Sequence, residues 1–334
     1  MTIQPAEDEV VSYFDKLSNW GRWGPDDRLG TLNLVTDETR RAAARLIRDG
    51  QVVSLSRDMD PQNPDPLGRG TVLQRYMETD KGSQLLGRDG LRLEAVREYV
   101  GIVAHGSHTH LDGLAHFSWQ GKNYNGFDAS DTSSTRGARS LSVHHAHAGI
   151  VTCGVLLDIA AVHGVPWLAP GQAITPGELV AAEQRQAVTA GPGDALLIHT
   201  GHFARVAAEG VHPQQHQPGL AAAALPYLRE RDIAVLGMDG IQDVIPSGYA
   251  TPDLMMPVHS VALVALGLWL IDNAALSELA AVCDAKQTWD FFFTMLPWRM
   301  VGVTSGFYPD LTKSGARAAM YSGFRVTGVC QAAG

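Results

Sequence analysis

Three short apolar segments, separated by helical sequence, constrain the fold of this 334-residue chain most strongly. Between the first two, Thr175 and Glu178 form a capping box with proline at the first helical position, which predicts a helix ending near Gln186. Another helix is predicted over 221–229, before the third segment. Strands that alternate with helices are typical of an α/β domain. The three predicted strands are GVLLDI (154–159), ALLI (195–198) and IAVL (233–236).

Composition and charge exclude several classes of protein. Hydrophobic residues make up 45% of the chain and charged residues 18%, which excludes a disordered protein. The formal net charge of −9 makes nucleic acid and anionic membranes unexpected partners. The polar, acidic start lacks the features of a signal peptide, and no apolar stretch reaches the roughly 18 residues of a membrane span. We therefore expect a cytoplasmic protein.

The chain is expected to form one domain over residues 1–334, because no change in composition marks a boundary. Residues 1–35 are expected to form an N-terminal arm, and 37–48 a helix capped by Asp37. Residues 60–80 begin with a stretch rich in proline and glycine and are expected to form an active-site loop. The three cysteines are too few and too scattered for a disulfide framework or a cysteine metal site: Cys153, Cys283 and Cys330.

Four of the thirteen histidines fall within twelve residues and point to a metal site. Residues two apart on an extended backbone share a face, so His108, His110 and Asp112 are predicted to point the same way. Imidazole and carboxylate groups together suit zinc, manganese or iron(II). His116 would reach the same pocket and is a candidate to carry protons. The alternative is that these histidines, His105 included, are surface or core residues with backbone partners.

His259 and Asp272 form a second candidate pair, separated by an apolar segment. A helix is predicted to begin near Pro257 and to end at Gly267, which places Asp272 on the following strand. A capping histidine and a turn aspartate are the alternative interpretation.

Other histidines give weaker signals. His199 and His202 follow a predicted strand end, where binding residues often lie in α/β sheets. The cluster at 144–147 has no nearby carboxylate and is expected on the surface. The motifs of serine hydrolases, P-loop and dinucleotide-binding proteins and H-E-x-x-H metalloproteases are absent from the sequence.

These residues give the sequence a resemblance to the metal-dependent cyclase-like hydrolase family, which includes bacterial kynurenine formamidase and isatin hydrolase. The family signature is H-x-x-x-H-x-D-x-x-x-H, and its last three positions stand here as His110, Asp112 and His116. The resemblance is to the longer-chain branch and extends over most of the chain, including segments 19–36, 116–126, 154–182, 191–201, 257–280 and 296–306.

The resemblance implies an α/β chain with a swivelling β/β/α fold, in which helices surround a central barrel-like sheet, assembled as a homodimer or homotetramer. It implies Zn²⁺ or Mn²⁺ bound by His110 and Asp112, with His108 and His259 as further ligands. His116 would transfer protons, and Asp272 would orient His259 or assist that transfer.

Two positions depart from the family pattern. The first ligand of the signature aligns with Gly106, so either His108 or His105 would replace it. Asp272 stands where formamidases carry glutamate, and its side chain is one methylene shorter.

The implied activity is hydrolysis of a small amide or ester, cyclic or N-formyl, by metal-activated water. Lactones belong to the same substrate class. The alternatives are a metal-dependent lyase or cyclase that uses the same histidine, and a non-catalytic protein that binds a small molecule. Aromatic residues that could line the pocket are Trp20, Trp23, Phe117, Trp119 and Trp298.

Overall fold

The computed structural model describes residues 4–47, 49–70, 72–79, 96–307 and 325–327. The strands are β1 (Val52–Val53), β2 (Leu73–Thr79), β3 (Val96–Ile102), β4 (His110–Asp112), β5 (Thr132–Ser133), β6 (Gly137–Ala138), β7 (Ile150–Asp158), β8 (Ala173–Ile174), β9 (Ala195–His199), β10 (Gly219–Leu220), β11 (Val235–Met238), β12 (Trp269–Asp272), β13 (Asp290–Met295), β14 (Ser305–Phe307) and β15 (Arg325–Thr327). The α-helices are α1 (Glu7–Lys16), α2 (Asp37–Ala44), α3 (Ile159–Val162), α4 (Pro176–Gln186), α5 (His202–Glu209), α6 (Leu225–Arg231), α7 (Pro257–Val261) and α8 (Ser277–Lys286).

A mixed sheet of nine strands, curled into a half-barrel, organises the described part of the chain in the order β1-β15-β13-β7-β9-β11-β12-β4-β14. The four central strands, from β7 to β12, are parallel, whereas β4 and β14 continue the sheet in antiparallel pairing. Helices surround the sheet, so the predicted α/β fold with a central barrel-like sheet is confirmed.

The parallel strands are largely apolar because both faces of the sheet are covered, with polar residues such as His199 and Asp272 at their carboxyl ends. Every residue of β9, β11 and β12 is buried. Large side chains complete the core, and Trp269, Phe291 and Phe293 are fully buried. Burying apolar surface at about 25 cal/mol per Å² is the main favourable contribution to such a fold.

Local signals predicted several element boundaries. The capping box at Thr175 and Glu178 begins α4, which ends at Gln186 as expected. By contrast, α2 is capped by Thr36 rather than by Asp37 and ends at Ala44, before the expected boundary. The predicted helix 221–229 is divided into a 3₁₀ turn over Ala222–Ala224 and α6, which has proline in its first turn.

The segment 60–80 has two parts. Residues 61–70 form consecutive turns, as expected for a loop, whereas Leu73–Thr79 is strand β2, paired with β3 in a hairpin. The expectation of one loop is therefore wrong for β2, which pairs in antiparallel register with a second extended segment. Cys330 lies outside the described residues.

The apolar segment before Asp272 folds as its flanking residues predict. After α7, a π-helix spans Ala262–Leu266 and ends at Gly267, which has φ +65°. A side chain at Gly267 would also collide with the ring of Tyr124, so glycine meets both a conformational and a steric requirement. In the described part of the chain, no helix has the length and apolar character needed to cross a bilayer.

Candidate metal centre

Two neighbouring strands bring three ligand-type side chains together. His110 and Asp112 are two residues apart on β4 and point to the same face, as predicted. In the antiparallel register of β4 and β12, Asp272 lies directly opposite His110. All three are buried, and their ligand atoms lie within 4.8 Å of one another.

His259 reaches the same group from the first turn of α7. Asp243 accepts hydrogen bonds from the backbone N–H groups of Val258 and His259, at 2.7 and 3.0 Å, and thereby caps this helix. The same carboxylate lies 2.6 Å from Nδ1 of His259. The Asp243 carboxylate thereby orients the imidazole so that Nε2 of His259 faces Asp112 and Asp272.

His105 and His116 lie at the more exposed side of the cluster. Their rings stack at a centroid distance of 3.6 Å, and they form a second group of possible ligands with Asp112. Nδ1 of His105 lies 2.8 Å from Oδ1 of Asp112, and its Nε2 lies 2.9 Å from the hydroxyl of Thr304. Asp112 is therefore shared between the two groups.

The distances between imidazole nitrogens and carboxylate oxygens suit a shared ion better than hydrogen bonds. Nε2 of His110 lies 3.5 Å from Asp112 and 3.7 Å from Asp272. Nε2 of His259 lies 3.5 Å from Asp112 and 3.6 Å from Asp272, and Nε2 of His116 lies 3.8 Å from Asp112. Ligand atoms about 2.0–2.1 Å from a tetrahedral ion are roughly 3.4 Å apart.

Two buried carboxylate oxygens give an independent sign that a cation fits here. Within the described residues, Oδ2 of Asp112 and Oδ1 of Asp272 have no hydrogen-bond partner, and both face Nε2 of His259. A buried charged oxygen is costly unless it is paired, hydrogen-bonded or coordinates a metal. Imidazole nitrogen and carboxylate oxygen are also the donors that zinc and manganese accept. The residues present therefore fit a divalent ion.

The pKa shifts reflect the same charge distribution. Burial opposes protonation of His259, but the carboxylates of Asp272, Asp112 and Asp243 raise its pKa well above the ordinary value. Burial acts to raise the pKa of Asp112, but His116, His105 and His110 hold it well below its usual range. Burial lowers the pKa of His116 to about 4, so its imidazole is neutral at pH 7.

The structure brings His105 into this cluster and leaves His108 outside both groups of possible ligands. The predicted shared face of His108 and His110 requires an extended backbone, but residues 104–108 bend and β4 begins only at His110. The carbonyl of His108 lies 2.7 Å from Nδ1 of His110 and so orients that imidazole. The assumption of a straight strand was wrong at this point.

The remaining candidates occupy different environments. His199 ends β9 and contacts Asp158 at 3.1 Å, and His202 begins α5, so neither belongs to the metal groups of the described residues. The cluster at 144–147 forms a 3₁₀ turn with partly exposed histidines. Of the aromatic residues, Phe117 and Trp119 line a cavity of about 520 Å³ beside the centre.

Sequence reasoning missed Asp243 and Thr304. Asp243 follows the end of β11, where polar residues of α/β sheets often gather, and this position was the available signal. Thr304 precedes β14, and nothing in its local sequence links it to His105. Its role depends on the antiparallel pairing of β14 with β4.

Comparison with known proteins relates the whole fold to other chains. The family model Cyclase matches residues 39–242. The crystal structure of a novel cyclase is 26% identical, with a TM-score of 0.77, and the alignment covers 94% of this chain and 98% of that one. No curated protein sequence matches the chain.

Two isatin hydrolases are more distant in sequence and share the fold. Isatin hydrolase A from Labrenzia aggregata, bound to benzyl benzoate, is 16% identical with a TM-score of 0.52, over 77% of this chain and 90% of its own. An isatin hydrolase bound to the product analogue thioisatinate is 15% identical with a TM-score of 0.52, and the alignment covers 81% of this chain and 96% of that one.

Proposed function

Because this chain belongs to the Cyclase family, we propose that it is a metal-dependent hydrolase of a small amide or ester. One observation carries the proposal. Buried oxygens of Asp112 and Asp272, without hydrogen bonds among the described residues, face imidazole nitrogens at distances that suit a shared ion. A protein that only bound a neutral ring compound would have no need for this arrangement of charge.

His110, Asp112, His259 and Asp272 would hold the ion, which we propose to be Zn²⁺ or Mn²⁺. Asp272, expected from the sequence to act in catalysis, faces both histidines and is proposed as a ligand. Of the two residues that the sequence left open, we propose that His105 rather than His108 borders this site, because it groups with Asp112 and His116. When bound, the ion would lower the pKa of water and polarise the substrate carbonyl.

His116 is proposed as the proton-transfer group. Burial keeps its imidazole neutral at pH 7, so one ring nitrogen can accept a proton, and its side chain is 25% exposed, which gives a substrate access to it. The parallel ring of His105 on one face and the edge contact with Phe117, at 4.8 Å, fix the orientation of the imidazole. His116 would take a proton from the attacking water and deliver it to the leaving nitrogen or oxygen.

The cavity beside Phe117 indicates the size and character of the substrate. It has a volume of about 520 Å³, within the usual range for small-molecule pockets, and Trp119, Met255 and Met256 also line it. The Phe117 ring lies 5.5 Å from that of His259. A planar ring compound would fit between these groups, so we propose a cyclic amide, a lactone or an N-formyl aniline as the substrate class.

Metal content and product mass together test the proposal. Protein purified without added metal or chelator should contain about one or two equivalents of zinc or manganese by elemental mass spectrometry. It should then be incubated with isatin, an aryl lactone and formanilide. Hydrolysis of isatin or the lactone gives one ring-opened product heavier by one water, and hydrolysis of formanilide gives aniline and formate, whereas a lyase or cyclase reaction adds no water.

The two alternatives give different results in this experiment. An isomerised product of unchanged mass would support the lyase or cyclase. Protein that takes up neither metal and turns over none of the substrates would support the non-catalytic binding protein. A homodimer or homotetramer, and the cytoplasm as its location, remain predictions from the sequence.

A further inference from the structure

A pair of arginines lies against the same backbone segments as the candidate metal centre. Arg57 donates from Nη1 to the carbonyl of Ser107 at 2.9 Å, and Ser107 lies between His105 and His108 in the chain. Arg69, from the 61–70 turns, donates to Oδ1 of Asn273, directly after Asp272, at 3.4 Å.

Each guanidinium is held in a defined orientation. The Arg57 guanidinium lies over the ring of Phe203, 3.7 Å from its centroid, and Arg69 donates from Nη2 to Oε1 of Gln217 at 2.9 Å. A guanidinium has five N–H donors, so these contacts leave several donors on each arginine for another acceptor.

Within the described residues, the positive charge of the pair has no directly paired carboxylate. Among the described residues, no carboxylate forms an ion pair with Arg57 or Arg69. Burial and then the charge of Arg69 lower the pKa of Arg57 to about 10. Burial also lowers the pKa of Arg69, and the charges of Asp272 and Asp65 oppose this shift. Asp272 belongs to the candidate metal centre. A cation bound there would offset the negative charge of Asp272, so less negative charge would balance the arginines.

A third donor completes the cluster. His202 is only 4% exposed, and among the described residues its Nδ1 has no hydrogen-bond partner. Its ring centroid lies 5.4 Å from that of Phe203, on which Arg57 stacks, and His202 and Arg69 line the same small cavity. Buried polar side chains nearly always have a hydrogen-bond partner, so an unpaired nitrogen beside two underused guanidinium groups indicates a site for an acceptor.

We propose that Arg57, Arg69 and His202 form a carboxylate-binding subsite beside the metal centre. This inference rests on the proposed function and specifies its substrate: a small cyclic or N-formyl compound that carries a carboxylate apart from the scissile bond. The planar guanidinium of arginine can donate two parallel hydrogen bonds to the two oxygens of a carboxylate. Stacking on Phe203 holds the Arg57 guanidinium in place. The subsite would select anionic substrates and orient their carbonyl toward the centre.

Calorimetric titration of the metal-loaded protein with benzoate, and with its neutral counterpart benzamide, tests the subsite directly. Benzoate should bind at least about tenfold more tightly than benzamide, since charge-assisted hydrogen bonds are stronger than neutral ones. Arg57→Gln and Arg69→Gln should each weaken benzoate binding about tenfold and leave benzamide binding and metal content unchanged. Arg40→Gln removes an exposed arginine paired with Asp37 and serves as the control.

Arg69→Lys and melting temperatures separate loss of the subsite from loss of folding. The lysine keeps the charge but lacks the fork, so a folded variant with weakened benzoate binding supports the subsite. A second titration uses protein stripped of metal by a chelator. Benzoate affinity that stays within about threefold also supports the subsite, because the arginines remain in place.

The results distinguish failure of the subsite from failure of the proposed function. Benzoate binding that disappears with the metal but persists in both glutamine variants would overturn the subsite and leave the hydrolase proposal standing. Benzoate binding that depends on the arginines, in a protein that hydrolyses none of the tested compounds, would support the subsite and contradict the hydrolase proposal.

Discussion

The candidate metal centre has an inner half and a rim, and they differ in burial. The inner half consists of His110, Asp112, His259 and Asp272, whose exposed fractions are 3%, 0%, 1% and 4%. The rim consists of His105 and His116, and each of these side chains is 25% exposed. The inner half can therefore hold an ion away from water, whereas the rim can meet a substrate.

The two halves also differ in what fixes their imidazoles. Nδ1 of His259 and of His110 are each held by a group outside the cluster, the Asp243 carboxylate and the His108 carbonyl. The rim rings stack on each other, and one of them also contacts Thr304. This contrast predicts that changes to the inner half reduce metal binding, whereas changes to the rim reduce turnover.

Asp112→Asn is expected to have the largest effect. The substitution keeps the size of the side chain but removes the charge that both halves share, so metal content should fall close to zero. The loss of metal affinity should exceed about 100-fold, the usual upper limit when the residue removed only hydrogen-bonds to a metal ligand. Elemental mass spectrometry after dialysis measures this. Asp37→Asn, at an exposed position, is the control. Full metal content in Asp112→Asn would contradict the assignment of the inner half.

His116→Gln should separate the rim from the inner half. We expect metal content to remain within error of the unsubstituted protein, while kcat falls by about 10²–10⁴, the usual contribution of a positioned acid or base. His105→Gln is the matched variant, because it removes the stacked ring but not the proton-transfer group. Its kcat should fall less. Unchanged turnover in His116→Gln, or loss of metal with loss of turnover, would contradict the proposed division.

Asp243→Asn tests whether the inner half depends on a residue that touches no substrate. The variant weakens the contact that holds Nδ1 of His259, so metal affinity should fall about 10–100-fold. The helix cap is weakened as well, at a cost of about 1 kcal/mol.

Asp158→Asn is a close control for Asp243→Asn, because Asp158 also caps a helix and contacts a histidine, His199, outside the metal groups. Both variants should lower the melting temperature of the metal-free protein, but only Asp243→Asn should weaken metal binding in a titration. Equal metal affinities for the two variants would reduce Asp243 to a structural role.

Local sequence predicted the inner half well, because its residues lie on elements with strong local signals. His110 and Asp112 follow the two-residue period of a strand, and Pro257 and Gly267 mark the helix between His259 and Asp272. The α/β class was predictable for the same reason, since its apolar strands and capping box are local features, whereas the barrel-like sheet was expected only from the family resemblance.

His105 and the arginine pair depend on contacts that no local pattern encodes, whereas His116 follows Asp112 at the spacing that predicted it. His105 enters the cluster because residues 104–108 bend, which reverses the choice that a straight strand would make between His105 and His108. Arg69 reaches Gln217 and Asn273 only because the 61–70 turns fold back onto them. Packing across the sheet, rather than periodicity, decides these positions.

Thr304→Val should have the smallest effect and gives the sharpest test of the rim. It removes the hydroxyl 2.9 Å from Nε2 of His105 and nearly preserves the shape of the side chain. One hydrogen bond contributes about 0.5–1.5 kcal/mol, so kcat should fall roughly 2–10-fold. Metal content should not change, because the inner half keeps all its contacts. A loss of metal in Thr304→Val would show that His105 belongs with the inner ligands, and the distinction between the two halves would then have to be abandoned.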